Sequence, residues 1–143
     1  MLDFTGSQNP SNVGKAKLTN TDQLSALVAQ MPMPRSIRDS HRQLEDRVKS
    51  LRDLGGTALG PGLFMAIRLA GRVPGSRVVL VTDGCANEGL GCIENGPGKP
   101  GLEGPAFYPY VGGVAKELGV VVSVVTFAGT LIFKKFLTFI RLK

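Results

Sequence analysis

Apolar residues recur along this chain with two distinct periods. Over residues 37–54, Ile37, Leu44, Val48 and Leu51 fall at i, i+7, i+11 and i+14, one stripe of a 3.6-residue repeat. Arg42, Glu45, Asp46 and Lys49 lie away from that stripe. The spacing predicts a helix, opened by a capping-box-like Ser36 and Asp39 and stopped by Gly55-Gly56. A shorter helix is predicted over 21–30, where Asn20 or Thr21 can cap and Leu24, Leu27 and Val28 share a face. Met31–Pro34 (MPMP) ends it, because proline cannot continue a helix and restricts its predecessor. A third helix is predicted over 61–72, with Pro61 in its first turn and Leu63, Ala66, Ile67 and Ala70 forming a face of partly small residues. Residues 1–19 read as mostly loop.

The second pattern is the continuous apolar run. RVVLVT (77–82) and GVVVSVVTF (119–127) are rich in β-branched residues, which predicts strands buried on both faces, as in a parallel sheet. Between them a Gly-rich stretch, roughly 84–105, reads as a flexible surface loop. A helix over 107–118 is predicted to be weakened by Gly112-Gly113. Helices alternating with such strands imply an α/β fold, an open, mostly parallel sheet with helices on both faces.

Composition changes this picture little. The chain's 143 residues suit one domain, and 43% apolar residues can fill a core. The formal charge is +6 and the isoelectric point about 9.7, values that invite nucleic acid as a partner. Yet Lys134, Lys135, Arg141 and Lys143 supply four of those charges from the last fourteen residues, leaving +2 for the body. A nucleic-acid partner is therefore not expected. Two cysteines, Cys85 and Cys92, are too few for a disulfide scaffold. No apolar run reaches the roughly 18 residues of a membrane span, and the first residues do not read as a signal peptide. A cytoplasmic protein with reduced thiols is the expectation.

Two places carry candidate chemistry. Sites in open α/β sheets lie beyond the carboxyl ends of strands, and Asp83 stands there, directly after RVVLVT. Its carboxylate can ligate a hard cation or simply turn the following loop. Gly55-Gly56-Thr57-Ala58-Leu59-Gly60 is the second. Its glycines admit close backbone approach, and the Thr57 hydroxyl is a neutral oxygen donor or a helix cap. Glu88 and Glu94 could add oxygens, with poor geometry expected from so glycine-rich a loop.

The stretch LGGTALGPGL…PGSRVVLVTDGCANEGLG resembles the von Willebrand factor A (vWA) family, over roughly residues 17–129 and most sharply over 54–91. It is most similar to the vWA modules of circularly permuted Ras-like proteins, and more distantly to the trunk domain of COPII coat proteins. The resemblance implies a Rossmann-like three-layer sandwich with a metal-ion-dependent adhesion site built from three loops: Asp-x-Ser-x-Ser, a Thr, and an Asp after a buried strand. Thr57 and Asp83 match the second and third. Mg²⁺ or Mn²⁺ would be the ion, and a protein partner's acidic side chain would complete its shell. Alternatively, as in vesicle-coat trunk domains, the module would be a scaffold that needs no metal.

The resemblance fails at both ends. Asp3-x-Thr5-x-Ser7 has the side-chain pattern of the first loop, but only Met1-Leu2 precede it, too little for the strand that should position it. The chain is expected to begin inside the domain, past its early strands, and to hold two of three metal loops. Weak affinity follows, because Mg²⁺ demands near-octahedral oxygen coordination. Residues 1–129 are thus read as a partial vWA domain and 130–143 as an atypical basic, apolar tail. In that tail Ile132, Phe133, Phe136, Leu137 and Ile140 can share a helical face, a pattern met at membrane surfaces or in a misjoined end that patches an incomplete sheet.

No enzyme is expected. There is no nucleophile–base pair, and the single histidine, His41, sits on the stripe of Ile37 and Leu44 as a boundary or core residue. Cys85 and Cys92, with six residues between them, are not zinc ligands without further partners. The Gly-rich loop has no Gly-x-Gly-x-x-Gly opening a helix after a strand and no Gly-Lys-Ser/Thr.

Overall fold

The computed structural model describes residues 19–33, 36–52, 56–82, 86–93 and 104–126. They form a mixed α/β unit of four helices and a small parallel sheet. In chain order these are α1 (Thr21–Gln30), α2 (Ile37–Ser50), α3 (Leu59–Ala70), β1 (Arg77–Thr82), α4 (Phe107–Glu117) and β2 (Val121–Thr126). The two strands pair in parallel from Arg77↔Val121 to Thr82↔Thr126. A parallel pair cannot be closed by a tight turn, and α4 lies in the crossover between them.

Helix α1 begins where its cap dictates. The Asn20 side-chain Oδ1 accepts from the backbone N–H of Asp22 at 2.8 Å and of Gln23 at 3.1 Å, satisfying two otherwise orphaned donors. Its Leu24 and Val28 are buried. Arg72 Nη1 donates to the Met31 carbonyl at 2.7 Å and Arg68 Nη2 to Ser25 Oγ at 3.1 Å, so two arginines of the following segment hold α1 in place. Replacing Asn20 with Ala should lower stability by about 1 kcal/mol, read as a shift of the urea midpoint at constant slope.

Helix α3 is the centre of the fold. Leu59, Gly60, Pro61, Leu63, Phe64, Met65, Ile67 and Leu69 are all buried, so it is enclosed nearly all round. It starts two residues before the expected Pro61. Helix α4 runs unbroken through Gly112-Gly113, against the expectation that these would spoil it. Gly112 is buried, and packing of Phe107, Tyr108, Val111 and Ala115 outweighs the roughly 1 kcal/mol propensity cost of each glycine.

Three expectations are corrected. Strand β1 is not buried on both faces: Val78, Leu80, Val122 and Val124 pack against the core, while Val79 (60% exposed), Val81, Val121 and Val125 face outward. The described residues therefore form two layers, with helices on one face of the sheet only. Continuous apolarity fixes a strand's capacity for burial, not the presence of a second cover. Helix α2 ends at Ser50, earlier than 54, and none of its residues is buried. Its apolar stripe is exposed at Ile37 (73%), Val48 and Leu51, and His41 on that stripe is exposed too. Periodicity dictates that a helix carries a stripe; it does not supply what lies against it. Among the described residues no helix is long and apolar enough to cross a membrane.

Candidate metal centre

Two loops meet beside the carboxyl end of β1. The first, residues 56–58, leads into α3. The second, residues 86–93, follows β1 in the sequence. The backbone N–H of Thr57 donates to Asn87 Oδ1 at 2.6 Å. The Thr57 carbonyl accepts in return from the backbone N–H of Asn87 at 3.1 Å and of Glu88 at 3.2 Å. Thr57 is half-buried, and both its backbone groups are committed to the second loop. What it can offer a ligand is its hydroxyl.

The second loop is packed, contrary to its reading as flexible surface. The Ile93 N–H donates to the Ala86 carbonyl at 2.8 Å and closes the loop at its base. Ala86, Leu90 and Cys92 are buried in the core. Below them the Tyr108 hydroxyl donates to the Gly91 carbonyl at 2.9 Å. Burial, with Cys92 adding to it, pushes the Tyr108 hydroxyl well above the ordinary tyrosine range, so it stays a neutral donor. A Cβ on Gly60 would run into the Leu90 carbonyl, which shows how closely α3's first turn and this loop approach.

Of the expected site residues, Thr57 is thus at the rim of the sheet, against the loop that continues from Asp83. Asp83 itself lies outside the described residues, as do Asp3, Thr5, Ser7, Cys85, Glu94 and the 130–143 tail. Cys92 is a buried free thiol. Sequence reasoning missed Asn87, whose side chain makes the tie to Thr57; an Asn four residues past a strand-end Asp gave no periodic signal. Glu88 is half-buried. Its side chain folds over Gly56, filling the space a Cβ there would take. Among the described residues no group of three His, Cys, Asp or Glu side chains could hold a metal. The oxygen donors present, one hydroxyl and one carboxylate, are of the kind a hard cation takes.

Comparison with known proteins adds one relative. The chain is similar to a circularly permutated Ras protein. Over 123 residues, 85% of this chain, it is 32% identical to circularly permutated Ras protein 1 of Dictyostelium discoideum. It spans 14% of that relative's length. No protein-family profile matches the chain, and no solved structure matches it. The match corrects the expectation that no enzyme is involved: the relative is by name a Ras protein, and Ras proteins hydrolyse GTP.

Proposed function

We propose that this chain is a vWA-type module of a Ras-like protein, holding Mg²⁺ or Mn²⁺ between Thr57 and Asp83 and recognising an acidic side chain of a protein partner. One observation carries the reading. The Thr57 backbone is bonded on both sides to Asn87 and Glu88, in the loop that continues from Asp83. The 56–58 segment and the 86–93 loop are thereby joined, and Asp83 precedes that loop by three positions in the sequence. A Thr hydroxyl and an Asp carboxylate are both oxygen donors suited to a hard cation. An ion held by so few protein groups keeps open positions, which a carboxylate from a partner can fill.

Titration of the full chain with Mn²⁺, followed by the ion's electron paramagnetic resonance signal, tests it. Thr57→Ala and Asp83→Asn should each weaken binding by about tenfold or more, the scale of losing a ligand or its support. Equal binding by both variants and the parent chain rejects the site. A second reading is a scaffold that needs no metal. That scaffold would melt at the same temperature with and without chelator, and its partner contacts would survive Thr57→Ala.

A further inference from the structure

We propose that α2 pairs with the α2 of a second copy of this chain, antiparallel, about a two-fold axis at the level between Arg42 and Gln43. No residue of α2 is buried, and the packing of α1 on α3, of α3 on α4 and β1, and of α4 on β2 leaves it out. A helix of 14 residues is marginal in water without a surface to cover its stripe. That stripe has the form of a seam. Ile37, His41, Leu44, Val48 and Leu51 are spaced by four, three, four and three residues, the alternation by which two helices interlock. The positions on either side of it, Arg38, Ser40, Glu45 and Arg47, are all polar. The apolar band is therefore the narrow one of a two-helix pairing, not the broader face that a helix lays on a globular core.

Charge selects the partner and the orientation. Arg38 and Glu45 directly follow Ile37 and Leu44 and share one flank of the seam; Ser40 and Arg47 share the other. In an antiparallel pair each flank meets its own counterpart. Setting Ile37 against the second copy's Val48, and His41 against its Leu44, overlaps almost the whole helix. It also brings Arg38 of each copy opposite Glu45 of the other, one such pair on each side of the axis. Glu45 is already drawn along the helix by Lys49, 2.6 Å away, and both stay exposed, so its carboxylate remains open to a second cation. The competing arrangements set like charges together. Sliding the antiparallel pair by one heptad places Glu45 against Glu45 and Arg47 against Arg47. A parallel pair places Arg47 against Arg52 and stacks His41 on His41. The charges of α2 thus complement another copy of α2 in one register. Two helices this short bury less than the roughly 1,200 Å² of a standard interface, so the dimer is weak and depends on concentration.

The test is sedimentation equilibrium of the full chain from about 10 μM to 1 mM, with thermal melting of each variant at the lowest concentration. The parent should pass from monomer toward dimer across this range. Val48→Lys should stay monomeric and melt like the parent, since it changes an exposed position. His41→Leu should tighten the dimer by about tenfold, because a polar residue in the seam costs stability. Arg38→Glu and Glu45→Arg should each weaken it by about tenfold, and an equimolar mixture of the two should associate like the parent, since opposite charges then face each other again. Mixing Arg38→Glu with Asp46→Arg, whose change is on the far side of α2, should restore nothing. A parent that stays monomeric at 1 mM overturns the proposal, as does a dimer that survives Val48→Lys, which would give the contact to another surface such as the outward face of β1 and β2. A mixture no tighter than its two components overturns the antiparallel pairing. A monomeric parent that co-sediments with phosphatidylserine vesicles, and loses this in Val48→Lys, would assign the stripe to a lipid surface instead and also overturn it.

Discussion

Replacing Phe64 with Ala should cost about 3–5 kcal/mol, enough to leave much of the population unfolded at room temperature. Phe64 is 1% exposed at the middle of α3. Its ring lies 6.3 Å from Phe107 and 6.2 Å from Tyr110, centroid to centroid, and Phe107 in turn lies 5.9 Å from Tyr110. The Arg68 guanidinium stands 5.7 Å above its face. Truncation therefore removes the largest side chain of α3, leaves a cavity in the core, and takes one ring contact each from Phe107 and Tyr110. Val79→Ala on the open face of β1, where the side chain is 60% exposed, should change stability by no more than about 0.5 kcal/mol. Urea unfolding of the two variants against the parent chain measures the difference. Similar losses for both would mean that the outward face of β1 is covered in solution and that α3 is not the centre of the core.

That contrast also shows what patterning can and cannot tell. Elements with local causes were legible: the Asn20 cap set the start of α1, and RVVLVT gave β1 to the residue. Glycine in α4 misled, because propensity is a local quantity while Phe107, Tyr108 and Val111 are held by α3 and the 86–93 loop. Burial on both faces of β1 was not legible, nor the exposure of α2, because each depends on what packs against an apolar surface rather than on the surface itself. For the candidate site, Thr57 was singled out as a hydroxyl that follows two glycines ahead of a helix. Asn87 was not, since its role is a single long-range bond to a backbone N–H 30 residues earlier, which leaves no period behind. The glycines of residues 84–91 suggested looseness, yet the loop is fastened by its backbone, through the Thr57 carbonyl and the Ile93–Ala86 closure. Composition reports the freedom of the unfolded chain; hydrogen bonding decides how much of it survives folding.

Alkaline pH should unfold the protein through Tyr108. The folded state holds this hydroxyl, 1% exposed by residue, as a buried donor to the Gly91 carbonyl, and burial foremost raises its pKa far above the ordinary value near 10. In the unfolded chain the same group ionises near 10. The stability tied to the neutral phenol is therefore complete below about pH 10 and is lost progressively as pH rises past it, because only the unfolded state then releases the proton. Tyr108→Phe separates the two contributions. At pH 7 the variant lacks the hydroxyl and leaves the Gly91 carbonyl without its donor, which should lower stability by about 1–3 kcal/mol. Above pH 10 it has no phenol to ionise at this position, so its stability should fall less steeply than the parent's and the gap between them should narrow. Denaturant midpoints of both proteins from pH 7 to 11 measure this directly. Parallel curves would mean that Tyr108 titrates alike in both states, and that the hydroxyl beneath the 86–93 loop is open to water rather than clamping the loop to α4.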